Sequence, residues 1–166
     1  MLATGFDAFT GALARIDIRG ADGMALADAW REGPKTYLGL MSAGFPNLFM
    51  VTGPGSPSVL GNVVVSIEQH VEFIVALLRH LREADAAQVA PSAEAQDSWG
   101  EVVRTAAAAT LFPHAASWYL GANVPGKPRQ FMPLIGFPAY VEKCDAVAAA
   151  GYEGFALKGM KVLAAE

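Results

Sequence analysis

Cysteine is almost missing: Cys144 is the only one in 166 residues. An intramolecular disulfide framework is excluded, and the chain fits a reducing compartment, so the expected location is cytoplasmic. Charge is also scarce, at 17% of residues against about 25% in ordinary domains. The balance is 12 basic to 16 acidic residues. A nucleic-acid binder shows a basic excess or stripe; neither is present, so no nucleic-acid partner is expected. No run of 18 apolar residues occurs, because Glu68, Gln69, His70 and Glu72 break the most apolar stretch. Asp7 interrupts any apolar signal segment, and no membrane partner is expected. His70, His80 and His114 make no H-x-x-x-H pattern and no C-x-x-C exists, so no metal site is expected. The G-x-S-x-G elbow of Ser–His–acid hydrolases is absent too.

What remains is apolar. Hydrophobic residues make up 53% of the chain. A single domain of this length buries roughly 70% of its unfolded surface. With so little polar surface to cover it, the chain is expected to bury apolar area against an oligomer, a large ligand or more polypeptide.

Periodicity gives the coarse organisation. Residues 13–18 alternate apolar and polar and read as a short strand. Residues 24–31 read as two helical turns stopped by Gly33-Pro34, and 37–41 as a possible short strand. The apolar run 47–52, with a turn signal on each side, reads as a buried strand. A long helix follows with a wide 3.6-residue stripe, ending near Glu83. Its N-cap is either Ser56, with Pro57 at the first helical position, or Asn62. Alanine-rich 86–91 reads as a linker, and a second helix runs from Ser92 to about Leu111 with Trp99, Val102 and Val103. Residues 113–129 form a loop rich in glycine and proline, of a length usual for lids and binding loops. The run 131–135 reads as extended. A third helix spans Pro138 to Ala150 and is closed by Gly151.

Two glycine motifs approach known nucleotide signatures and miss. Gly121 to Lys127 follows a phosphate loop until Pro128, which has neither the hydroxyl nor the N–H required there. An exposed loop carrying Lys127 and Arg129 is the stronger reading. Gly53-x-Gly55-x-x-Ser58 lacks the third glycine of a dinucleotide fingerprint. It nonetheless leads into a helix start, where free N–H groups and a positive dipole end suit an anion or an electron-rich carbonyl, such as the flavin pyrimidine edge. Plain strand–turn–helix packing explains the same motif. Glu68 and Glu72 share a helix face that is expected to be solvated, and the histidines read as polar-face or satisfied residues. The pair Trp118-Tyr119 either packs down or covers a ligand with its polar tips.

Several longer stretches carry a family resemblance: 2–8 (LATGFDA), 36–40 (TYLGL), 44–49 (GFPNLF), 53–58 (GPGSPS), 66–71 (SIEQHV), Ser117-Trp118, 121–129 (GANVPGKPR) and 151–155 (GYEGF). Together they resemble the C-terminal part of flavin-dependent Baeyer–Villiger monooxygenases of the cyclohexanone and phenylacetone monooxygenase type. The resemblance implies a helix-rich α+β fold, the C-terminal part of a flavoprotein with two dinucleotide-binding domains and incomplete on its own. Within it, 1–20 would end the NADP-domain linker, 21–84 would hold an FAD-domain strand and long helix, and 85–166 would hold helices and a mobile lid loop.

The implied reaction uses FAD and NADPH. Reduced flavin takes up O₂ to give a C4a-peroxyflavin, which converts a ketone to an ester or lactone. Asn62 and Val63 would lie by the flavin, Trp118 would contact the nicotinamide ribose, and Ser58, Val59, Leu60, Phe131 and Met132 would line the substrate pocket. Thr4, Gly5 and Asp7 would join the two nucleotide domains. No catalytic residue of the family falls in this chain. The G-x-G-x-x-G motifs and the F-x-G-x-x-x-H-x-x-x-W fingerprint are absent, and Gly61 and Val63 replace the commoner Ser and Met. The isolated chain is therefore expected to bind FAD weakly or not at all and to be inactive. Missing N-terminal domains or self-association would cover its apolar surface. The competing reading is a non-catalytic binding or interaction module of the same descent.

Overall fold

The computed structural model describes residues 7–57, 61–115, 118–122, 125–126 and 135–159. In chain order it contains α1 (Gly11–Ala14), α2 (Leu26–Ala29), α3 (Val63–Glu83), β1 (Ala86–Pro91), α4 (Ala93–Ala108), α5 (Phe137–Ala149) and β2 (Phe155–Gly159), with short 3₁₀ turns at Phe112–His114 and Trp118–Leu120.

The three long helices follow their sequence signals. Of the two candidate caps for α3, the structure uses Asn62, whose side-chain oxygen accepts the Val64 N–H at 3.0 Å. Ser92 caps α4 by accepting the Ala95 N–H at 3.1 Å. Gly151, at φ +69°, follows the end of α5 in the left-handed conformation that closes helices.

Four sequence expectations are corrected. Residues 13–18 are not a strand. Asp7 accepts both the N–H and the hydroxyl of Thr10, and this local turn starts the single helical turn α1. Residues 47–52 are not a strand either. Among the backbone bonds reaching them, Asn47 donates to the Val89 carbonyl and Met50 to that of Leu40, and two isolated bonds do not make a ladder. Residues 37–41 close a tight turn with one bridge between Tyr37 and Met41, because Leu38 and Gly39 both have positive φ. The alanine-rich linker 86–91 is strand β1, antiparallel to β2, with Val89 opposite Leu157 and Pro91 opposite Phe155. Alanine carries little β signal, so only buried Val89 marks the strand in the sequence. Smaller differences concern length: the helix read at 24–31 is the single turn α2, and α4 stops at Ala108. Of the run 131–135, only Ile135 lies within the described residues.

One buried cluster joins the 37–41 turn to every long element. It holds Leu38 and Met41 from the turn, Phe73 and Leu77 from α3, Val89 from β1, Trp99 from α4, and Tyr140 and Cys144 from α5. Side chains as buried as Leu77 each contribute roughly 1.5–3 kcal/mol. The Tyr140 hydroxyl donates to the Leu38 carbonyl at 2.8 Å, tying α5 to the turn. A second, smaller cluster of Leu26, Trp30, Phe45 and Met50 holds the N-terminal loops.

Candidate functional site

The segment ahead of α3 is a buried loop held from several sides. Thr36 donates its hydroxyl to the Pro54 carbonyl at 2.6 Å, and the Trp99 indole N–H donates to the Gly55 carbonyl at 3.1 Å. Ser56 donates through both its N–H and its hydroxyl to Gly53. His70, from the third turn of α3, accepts the Thr52 N–H on Nδ1 at 3.1 Å. Glycine is required by close approach: a Cβ on Gly53 would stand 2.4 Å from the Gly39 carbonyl oxygen, and one on Gly39 would stand 2.4 Å from the Ser56 nitrogen.

The α3 start lies at the surface: Asn62, Val63 and Val64 are exposed. Its first turn holds no acidic residue, so no side-chain carboxylate there offsets the positive end of the dipole. First-turn N–H groups other than the capped one have no intrahelical partner. This end of the helix can accept a carbonyl or anion without displacing a charged side chain of its own first turn.

The helix is apolar on two faces. Ser66, His70, Phe73, Leu77 and Leu81 face the core, while Val64, Ile67, Val71, Val75 and Leu78 are exposed, Val64 at 63%. Their spacing makes a second stripe along the helix. Glu68 and Glu72 are exposed, as expected of a solvated face.

His70 is fully buried and lies edge-on to Tyr140 at 5.6 Å. Burial pushes its imidazole down to about 4, so the ring is neutral near pH 7. Its Nε2 and the Gln69 Oε1 are buried with no hydrogen-bond partner among the described residues. Burial also raises Cys144 to about 11, and raises Tyr140 well above the ordinary phenol range.

Trp118 is 46% exposed, stacks on Phe9 at 5.8 Å and 20°, and lies tilted by 38° against Tyr119 at 4.1 Å. Beside this aromatic group lies a cavity of about 240 Å³, lined by Phe9, Thr36, Gly55, Trp99, Arg104 and Tyr119 among others. A second cavity of about 360 Å³ opens between α4 and the 153–154 turn. Asn62, Val63 and Trp118 line neither. Ser58, Val59, Leu60, Phe131, Met132, Thr4, Gly5, Lys127 and Arg129 lie outside the described residues.

Sequence reasoning took Trp99 only as an apolar helix residue and did not single out Thr36. The structure makes both of them donors to the glycine loop. The one available signal is a polar-tipped side chain at an otherwise buried position.

Among the described residues no helix is long and apolar enough to cross a membrane, and no group of three His, Cys, Asp or Glu side chains could hold a metal ion.

No family model matches the chain. Individual proteins do. The acetone monooxygenase (methyl acetate-forming) of Gordonia sp. strain TY-5 is 45% identical over 159 residues, covering 95% of this chain and 30% of that protein. The cyclopentanone 1,2-monooxygenase of Comamonas sp. is 39% identical over 95% of this chain and 29% of its own length. Among solved structures, cyclohexanone monooxygenase from Rhodococcus sp. Phi1 bound to NADP+ superposes with a TM-score of 0.90 at 41% identity, over 95% of this chain and 30% of that one. The oxidized steroid monooxygenase bound to NADP gives 0.83 at 42% identity over 91% of this chain and 28% of its own. The chain spans about 30% of the length of these relatives, and it belongs to the Baeyer–Villiger monooxygenase family as a segment corresponding to the C-terminal part of its members.

Proposed function

We propose that this chain is one wall of an FAD- and NADPH-dependent monooxygenase that inserts oxygen next to a ketone carbonyl, giving an ester or lactone. The single observation behind this reading is the agreement of 95% of the chain with oxygenase structures at a TM-score of 0.90. The α3 start fits the cofactor's chemistry: it is exposed, capped by Asn62 and free of acidic side chains in its first turn. The backbone at Asn62 and Val63 would hold the electron-rich edge of the flavin there, and Trp118 would contact the nicotinamide ribose. Together FAD, NADPH and O₂ supply the oxygen atom that enters the ketone. Ser58, Val59, Leu60, Phe131 and Met132 would shape the substrate pocket and keep water out.

No residue of this chain grips a pyrophosphate through a G-x-G-x-x-G loop, so the nucleotide anchors come from polypeptide corresponding to the remaining length of the relatives. The exposed stripe of α3, from Val64 through Ile67, Val71 and Val75 to Leu78, is the surface that this dinucleotide-binding part covers. A contiguous apolar face of this kind on a surface helix marks an interaction site.

The test is reassembly. The chain is mixed with the dinucleotide-binding part of the Gordonia acetone monooxygenase, produced separately, and passed over gel filtration with FAD. The reading expects flavin to co-elute with the pair and not with this chain alone. One FAD retained per isolated chain would contradict the division of labour, and no complex would contradict the docking surface.

A further inference from the structure

We propose that, without the dinucleotide-binding part, the exposed stripe of α3 docks on the same stripe of a second copy of this chain, with the two helices antiparallel. That two partners compete for this face rests on the function proposed above; the pairing of two copies stands on the helix itself.

The charges beside the stripe carry the inference. At about 100° per residue, Glu68, Glu72 and Arg79 fall along one edge of the stripe, and Arg82 continues its C-terminal end. All of them are exposed, and among the described residues none of them makes an ion pair. The other edge of the stripe runs into the core through His70 and Leu81. The single charged edge is therefore acidic in its N-terminal half and basic in its C-terminal half.

That order selects the occupant. A two-fold axis across two antiparallel helices puts both charged edges on the same side of the pair and reverses the direction of one of them. Centred on Val75, it sets Val75 against Val75 of the second copy and Val71 against its Leu78. Glu72 then meets Arg79 of the second copy, and Glu68 meets its Arg82. By symmetry each charge pair forms twice. A parallel pair would leave the charged edges on opposite sides, with no partner for either. Exposed ion pairs of this kind add little affinity but fix direction and register. The affinity comes from valine and leucine side chains leaving water. One helix pair is smaller than a standard interface, so the dimer is expected to dissociate on dilution.

The test is sedimentation equilibrium of the full chain, without flavin, over a series of concentrations. It includes two charge-reversed variants, Glu68→Arg/Glu72→Arg and Arg79→Glu/Arg82→Glu. The unmodified chain should approach twice its 17.4 kDa as concentration rises. Each variant alone sets like charges against each other, and its dissociation constant should rise by roughly tenfold or more. An equimolar mixture of the two restores every pair and should return to the dimer mass. Far-UV circular dichroism checks that the variants keep their helices. A monomer at every concentration overturns the proposal, and this outcome needs no variant. Aggregation without a dimer plateau, variants that dimerise as tightly as the unmodified chain, or a mixture as weak as its components also overturn it. Adding the dinucleotide-binding part of the Gordonia enzyme should convert the dimer into a mixed complex. A dimer that persists supports the self-pairing and contradicts the competition, so the two readings fail separately.

Discussion

The Trp99 indole N–H donates to the Gly55 carbonyl at 3.1 Å across 44 residues of sequence. A helix C-terminal to α3 thereby fixes the loop N-terminal to it. Trp99→Phe keeps most of the buried ring and removes the donor. The expected loss is about 1–2 kcal/mol, set by a carbonyl left without its partner, and urea unfolding would measure it. An unchanged midpoint would mean that water replaces the indole at no cost.

Gly39 tests the same loop from the other side. It has φ +72°, and a Cβ there would stand 2.4 Å from the Ser56 nitrogen. Gly39→Ala combines backbone strain with overlap against backbone that has little room to move. A loss of about 3 kcal/mol or more is expected, read by thermal or denaturant unfolding. A loss under about 1 kcal/mol would show that the two segments can separate freely.

His70 gives the chain an acid-sensitive point. Burial lowers its folded pKa to about 4 from the ordinary 6.5. Between those values the unfolded chain binds the proton and the folded chain does not, so stability rises with pH across the window. The stabilisation is fully present above about pH 6.5 and is lost as pH falls toward 4. It amounts to about 3.5 kcal/mol at most, from roughly 1.4 kcal/mol per pKa unit. Stability measured from pH 7 to pH 4 should fall less steeply in His70→Leu, and parallel curves would remove His70 as the cause.

Cys144 should be silent to thiol reagents in the folded chain. It is fully buried, and desolvation raises its thiol to about 11, so almost no thiolate forms at pH 7. A disulfide reagent should titrate one thiol per chain in denaturant and almost none in buffer. Rapid labelling without denaturant would show that the α3–α5 contact opens readily.

The legible parts of this fold were those with strong local chemistry. Ser92 announces a helix start, Asn62 is one of two caps the sequence offers for α3, and the apolar period of α3 is long enough to be unambiguous. The small sheet was illegible because alanine marks no strand and β2 is only five residues long. The alternation over 13–18 misled because the Asp7–Thr10 turn settles that region locally. At the site, a glycine loop leading into a helix start was foreseeable between Gly53 and Asn62, whereas the exposure of that start was not. The pins at Thr36, His70 and Trp99 were not, because each depends on a contact at least 18 residues away in sequence. The second apolar face of α3 was present in the wide stripe, but which residues would stay exposed depends on where the core lies.

Whether this chain forms one wall of an oxygenase is decided by oxygen consumption of the reassembled pair. The measurement adds NADPH and a small ketone to the dinucleotide-binding part of the Gordonia enzyme, with and without this chain, and follows oxygen uptake and ester formation. The account predicts ketone-dependent uptake and ester only when the chain is present, with both lost when Val71 and Val75 are replaced by Glu. Equal rates with and without the chain, or full activity of the Val71→Glu/Val75→Glu variant, would contradict it.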